Sequence, residues 1–222
     1  MNMSADHDAE MPDFPPEQLP SEQVASVQRE VQRKLGRIMI RLQQYERLIK
    51  AVAASVEIAG PVDELVEIQR KRGEVISKMT LGGLVTEITG GYLKPAQPAA
   101  AAAEPEWEPG DTRRIWLRMN ASMSMQPADY DRVVAGLKEL VAMRNELVHH
   151  FLERFDLWSV AGCQNADLYL DAGMAKVDNR YAELRHWALT MAKAQRTMAA
   201  FMETPEYKEL LFGGTAPDGT AD

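Results

Sequence analysis

The sequence predicts an all-α protein, an antiparallel helical bundle of four to five long helices with disordered termini and one Ala/Pro-rich linker. Three observations predict it. Val24, Val27, Val31, Leu35, Ile38, Leu42, Tyr45, Ile49, Val52 and Val56 alternate three and four residues apart, a heptad-like seam. Leu170, Met174, Val177, Tyr181, Leu184, Ala188, Met191, Gln195, Met198 and Met202 step the same way toward the other end of the chain. Between them, Leu137, Leu140, Val141, Val148, Phe151, Leu152 and Phe155 mark one apolar face of a third helix.

Residues 1–20 hold four prolines among five acids, with no Lys or Arg, and read as a disordered acidic leader. Ser21 is placed to cap the first long helix, and Gly60-Pro61 is expected to end it. A second helix over 62–79, with Val62, Leu65, Val66, Ile76 and Met79 inward, then makes an antiparallel hairpin with the first. Thr80-Leu81-Gly82-Gly83 has neither the Lys-Ser/Thr of a P-loop nor a strand before it, so it reads as a glycine-hinged loop into a short helical turn. Residues 90–110 turn to Pro, Ala and acids, and Pro95, Pro98, Pro105 and Pro109 leave room only for a flexible linker. Ile115, Leu117 and Met119 alternate with Arg114, Trp116 and Arg118, the pattern of a short extended piece. Asp129, after Pro127, can cap the third helix, which runs to about Phe155. Thr204-Pro205 opens a final short helix, and 213–222 reads as a disordered tail. One domain over 21–212 is the expected organisation.

The chain has 222 residues, 45% of them apolar, enough for a sizeable core. No apolar run approaches the length of a membrane span. The first residues lack the basic and apolar regions of a signal peptide, and the lone Cys163 fits a reducing compartment, so the cytoplasm is expected. The net charge of −8 argues against a nucleic-acid partner only if it is spread evenly, and it is not. Eleven acids lie in 1–20, 104–111 and the last ten residues, which leaves +3 for the helical body. Arg29, Arg33, Arg37 and Arg41 follow one another at four-residue steps, either as a track for RNA phosphates or as a solvated face satisfied by residues such as Glu30. His186 has no second ligand at metal spacing, and neither a metal nor a cofactor is expected.

One position breaks the pattern of the third helix. Arg144 falls where the stripe asks for an aliphatic residue, and a guanidinium is costly to bury unless something anionic meets it. His149 and His150 follow one turn later. Arg144-Asn145-Glu146-Leu147-Val148-His149 resembles the motif of HEPN-domain proteins, an all-α family whose nuclease members carry Arg, a polar residue, three variable residues and His. The resemblance implies a metal-independent endoribonuclease with its site in a homodimer cleft. Arg144, Asn145 and His149 would be its catalytic residues, and cleavage would leave a 2′,3′-cyclic phosphate and a 5′-hydroxyl. It also implies a toxin or anti-phage setting with an antitoxin or other regulatory partner. In a toxin subgroup the position two after the histidine is a tyrosine that receives nucleotide. Here it is Phe151, with no hydroxyl to modify.

The residue chemistry agrees with such a role. Histidine exchanges protons near neutral pH, and a planar guanidinium suits a crowded, doubly charged phosphate. Five residues at about 100° each set Arg144 and His149 roughly 140° apart, a gap that a second copy across a two-fold axis narrows. Arg33, Arg37, Arg41 and His150 are the residues expected to bind RNA around that site. In the competing reading, His149 and His150 occupy a helix flank and pair with Glu146 or Glu153. The chain is then a non-catalytic helical interaction module or a nucleotide-binding regulatory domain.

Overall fold

The structure is a computed structural model, and it describes residues 21–96 and 113–212, with no side-chain placement for 210–212. The expected acidic leader 1–20, most of the expected linker and the tail 213–222 lie outside the described residues. Among those described there are seven helices, α1 (Glu22–Ala54), α2 (Leu65–Ser77), α3 (Leu81–Gly91), α4 (Pro127–His149), α5 (Phe151–Arg154), α6 (Val160–Met202) and α7 (Pro205–Phe212). Four short strands accompany them: β1 (Glu57–Pro61), β2 (Leu93–Pro95), β3 (Trp116–Asn120) and β4 (Met123–Met125). The protein is therefore mainly helical, with two small ladders that the helical periods do not announce.

α1 and α6 are the frame. The Ser21 hydroxyl accepts the Val24 amide and caps α1, and the Ser159 hydroxyl accepts the Gly162 amide and caps α6. At 1.5 Å per residue they reach about 50 Å and 65 Å. They run parallel. Lys34 Nζ lies 2.7 Å from both Asp167 and Asp171, Arg41 Nε 2.6 Å from Asp178, and Gln195 Nε2 donates to the Ser55 carbonyl at 3.2 Å, so both sequences climb together. The α1 seam is buried as its spacing predicts, with Val24, Val31, Ile38, Leu42, Tyr45, Ile49 and Val52 inside. On α6 the inward residues include Cys163, Ala166, Leu170, Val177, Leu184, Trp187 and Met191. Gly173 sits where α1, α4 and α6 meet, and a Cβ there would lie 3.0 Å from Ile38 Cδ1 and 3.4 Å from Met143 Sδ.

α4 lies antiparallel to α6, with Lys176 Nζ at 2.5 Å from Glu139. α3 lies antiparallel to α4, and the Tyr130 hydroxyl donates to the Thr89 carbonyl at 3.3 Å. The expected glycine-hinged loop is instead the start of α3. Thr80 Oγ1 accepts the Gly83 amide, and Leu81, Leu84, Val85 and Ile88 are buried.

Gly60-Pro61 does not end α1. The helix stops at Ala54, and 57–61 pair antiparallel with β3, Glu57 opposite Asn120 and Pro61 opposite Trp116. The extended piece expected near 115–119 needs a hydrogen-bonding partner, and β1 supplies it. The carbonyls freed at the end of α1 are taken by distant side chains. Arg72 Nη2 donates to Ala53 at 3.1 Å, Gln69 Nε2 to Ala54 at 3.0 Å and Gln195 to Ser55. α2 pays little into the core in return: only Ile76 is buried, while Val62 and Val66, expected inward, are exposed. The first residues of the expected linker are structured too, since Gly90 and Gly91 close α3 and β2 pairs in parallel with β4.

Two stability predictions follow from this packing. A Cβ on Gly162 would collide with the Asp156 backbone carbonyl, which cannot swing aside as a side chain can. Gly162→Ala is expected to cost about 1–3 kcal/mol in urea unfolding. Burial pushes the Tyr45 phenol well above its ordinary value of 10, with the Glu183 carboxylate adding to the effect. Below about pH 10 the phenol is neutral in both states; above it the unfolded chain ionises first, so stability falls as pH rises. Tyr92 and Tyr169 are raised by burial as well, so Tyr45→Phe is expected to lessen, not abolish, the alkaline loss of stability seen by denaturant titration.

Candidate active site

α4 begins with Pro127 at its first turn and Gln126 as the capping position. Asp129 does not cap it; its carboxylate bonds Arg132 Nη2 at 2.7 Å within the first turn. The buried residues are Val133, Gly136, Leu137, Leu140, Met143 and Leu147, continued by Phe151 and Phe155. Of the expected stripe, Leu137, Leu140, Phe151 and Phe155 are buried and Val141 is half-buried. Val148 and Leu152 face out, at 43% and 76% exposure. A straight helix turns about 20° per heptad away from a 3.5-residue repeat, and here that drift brings Met143 and Leu147 inward. Arg144 thus stands on the flank of the buried face, half-exposed, and its desolvation is partial.

The helix does not run on to Phe155. α4 ends at His149, and His150 sits at φ −127° and ψ 0°, its amide bonded to the Glu146 carbonyl at 2.9 Å. One turn, α5, then carries Phe151 against Phe155, with ring centres 5.1 Å apart. Both histidines are exposed at this break, their rings edge to face at 6.2 Å. His150 Nδ1 lies 3.0 Å from Glu153 Oε2, the pairing the flank reading offers for one histidine.

Arg144 Nη1 donates to Asn145 Oδ1 at 3.3 Å, so the first two motif residues touch. Among the described residues Arg144 has no carboxylate partner, and it makes no hydrogen bond to His149. Within one chain the imidazole is thus not brought to the guanidinium, in keeping with the 140° between them. Glu146 is engaged by Arg154, whose guanidinium also lies 4.6 Å over the Tyr169 ring. That hydrogen bond to Glu146 raises the Arg154 pKa further. A cleft of about 230 Å³ between α4 and α6 is lined by Met143, Glu146, Tyr169 and Gly173 among others, and by none of Arg144, Asn145, His149 or His150.

The α1 arginines are divided. Arg33 binds Glu30 at 2.5–2.8 Å, and Arg41 binds Asp178, reaches Gln44 at 2.9 Å and covers the Tyr181 ring at 4.1 Å. Arg37 is exposed and without an ion pair among the described residues. Arg185, Lys193 and Arg196 on α6, outside any motif, are also without an ion pair among the described residues. Their signal in the sequence is the absence of any Asp or Glu from Leu184 to Met202.

Among the described residues no three His, Cys, Asp or Glu side chains gather as a metal site, and no helix is long and apolar enough to cross a membrane. The fold is that of a mainly α-helical protein. No protein family matches the chain, and neither a curated protein nor a solved structure matches it.

The corner after His149 depends on Phe151. Phe151→Ala is expected to lower the unfolding free energy by about 3–5 kcal/mol, whereas Leu152→Ala, at an exposed neighbour, is expected to change it by less than about 0.5 kcal/mol. Chemical denaturation of the two variants checks the contrast.

Proposed function

We propose that the protein is a metal-independent endoribonuclease of HEPN type, acting as a homodimer with Arg144, Asn145 and His149 at the cleft between protomers. The observation that carries this reading is a half-buried guanidinium without a counter-ion among the described residues. It stands in the order Arg-Asn-x3-His on a helix that stops at its histidines. Nearly every other half-buried cation of the bundle is matched by a carboxylate, as Lys34 is by Asp167 and Asp171. A cation left unmatched is an anion-binding position.

The chemistry requires only the RNA and these side chains. One His149 imidazole takes the proton of the ribose 2′-hydroxyl, whose oxygen attacks the adjacent phosphorus. Arg144 holds the added negative charge on the equatorial oxygens. The imidazolium of the partner subunit's His149 gives its proton to the departing 5′-oxygen, leaving a 2′,3′-cyclic phosphate and a 5′-hydroxyl. Asn145, already in contact with Arg144, orients the guanidinium. Val148 and Leu152, one and two turns beyond Arg144, offer an exposed apolar margin suited to a two-fold contact. The setting that goes with this activity is a cytoplasmic toxin or anti-phage effector held by a protein partner. Phe151 is buried and carries no acceptor hydroxyl, so control by nucleotide attachment there is not part of the proposal.

A second reading, a non-catalytic helical interaction module, draws on the separate orientations of Arg144 and His149 in the single chain. Incubation with a structured RNA in EDTA separates the two. Fragments ending in cyclic phosphate are expected from the wild type. Arg144→Ala and His149→Ala are each expected to reduce cleavage at least 100-fold with unchanged circular dichroism and oligomeric mass. Undiminished cutting by both variants, or no cutting by the wild type, favours the interaction module.

A further inference from the structure

We propose that the outward face of the second half of α6 is an exosite for the phosphate backbone of single-stranded RNA, distant from Arg144 and His149. The choice of RNA over other polyanions rests on the nuclease reading above. Leu184–Met202 contains Arg185, His186, Lys193 and Arg196 and no acid. All four side chains are exposed, and none forms an ion pair among the described residues. In the first half of the α1–α6 pair, by contrast, Arg33, Lys34 and Arg41 are answered by Glu30, Asp167, Asp171 and Asp178, and Arg37 stands without an ion pair among the described residues. At about 100° and 1.5 Å per residue, Arg185, Lys193 and Arg196 fall within an arc of about 80° and along about 16 Å of helix. Leu184, Trp187 and Met191 hold the other side of the helix in the core, so this arc points to solvent.

Leu189, 56% exposed, lies inside the arc of the cations, and Phe201, 45% exposed, lies about 80° around the helix from Lys193. A shallow depression of about 550 Å³ is lined by Thr190, Lys193, Ala194, Thr197, Met198 and Phe201. Cations for phosphates beside an aromatic ring for a base are the ingredients of sequence-tolerant single-strand binding. A membrane-lying helix needs a continuous apolar stripe outward, whereas here Leu189 stands between Arg185 and Lys193.

The antiparallel packing of α4 on α6 sets the distance to the cleavage motif. Glu139 meets Lys176, and Glu146 shares a cleft with Tyr169, so the His149 end of α4 lies near the level of Tyr169. Arg185 and Arg196 are 16 and 27 residues further along α6, or about 24–40 Å away. An RNA touching both places must span that distance.

The test is fluorescence anisotropy with a labelled 24-nucleotide single-stranded RNA, in a His149→Ala background so that the RNA stays whole. Arg185→Ala/Lys193→Ala/Arg196→Ala is expected to raise Kd at least tenfold. It is also expected to reduce the slope of log K against log salt by about 2, at about 0.7 per lost phosphate contact. Lys71→Ala/Lys78→Ala/Lys138→Ala, removing the same charge elsewhere, is expected to change Kd less than twofold. An unchanged Kd in the first variant, an equal loss in both, or binding to phosphatidylserine vesicles with none to RNA overturns the proposal. Wild-type cleavage is measured in parallel. Loss of binding without any wild-type cleavage leaves the exosite standing and removes the nuclease reading, and cleavage with intact binding in the α6 variant does the reverse.

Discussion

Every other element takes its place from the parallel seam between α1 and α6. Ile38, Ile49, Leu170, Val177 and Leu184 are at most 1% exposed along it, and full burial of such side chains contributes about 1.5–3 kcal/mol each. The flanking ion pairs, Lys34 with Asp167 and Asp171 and Arg41 with Asp178, fix the register more than the strength, because they sit partly in solvent. With that register set, α4 has one groove to fill, and Gly173 admits Ile38 and Met143 to the same spot.

The seam also sorts the charges. Asp178 on α6 takes Arg41, and Glu30 on α1 takes Arg33 as the solvated-face reading had it, so neither is a free cation. Beyond Glu183 the acids stop while α6 continues to Met202, and the cations there form no ion pair among the described residues. The motif region is organised differently. Its exposed histidines follow from a helix break, and its guanidinium is half-sheltered at the rim of the buried face.

What was legible in the sequence was periodicity. The α1 seam, the α6 seam, the Ser21 cap, the short α7 and the extended stretch near 117 follow from local spacing and capping chemistry. What was not legible was set by partners far away in the chain. Helix α1 ends at Ala54 because Gln69, Arg72 and Gln195 reach its carbonyls and β3 takes up the residues beyond, and none of these lies near residue 54 in sequence. Apolar residues on α2 suggested an inward face, yet only Ile76 found a core to enter. On α4 the heptad reading chose Val148 and Leu152 over Met143 and Leu147, an error of helical phase that grows with distance from Leu137. For the candidate site, residue types and order were visible, but whether two copies bring Arg144 to His149 is a matter of assembly that one chain's sequence does not encode locally.

The parallel pairing of the first and last long helices also bears on how the chain comes into being. Lys34 waits for Asp171, and Ser55 for Gln195, across about 140 intervening residues. During synthesis the part of the α1 stripe that α6 covers leaves the ribosome and stays uncovered until α6 emerges, at roughly 5–20 residues per second a delay of many seconds. Folding of this topology is therefore late and nearly all at once, and a nascent chain halted before residue 160 presents a long sticky helix that invites chaperones.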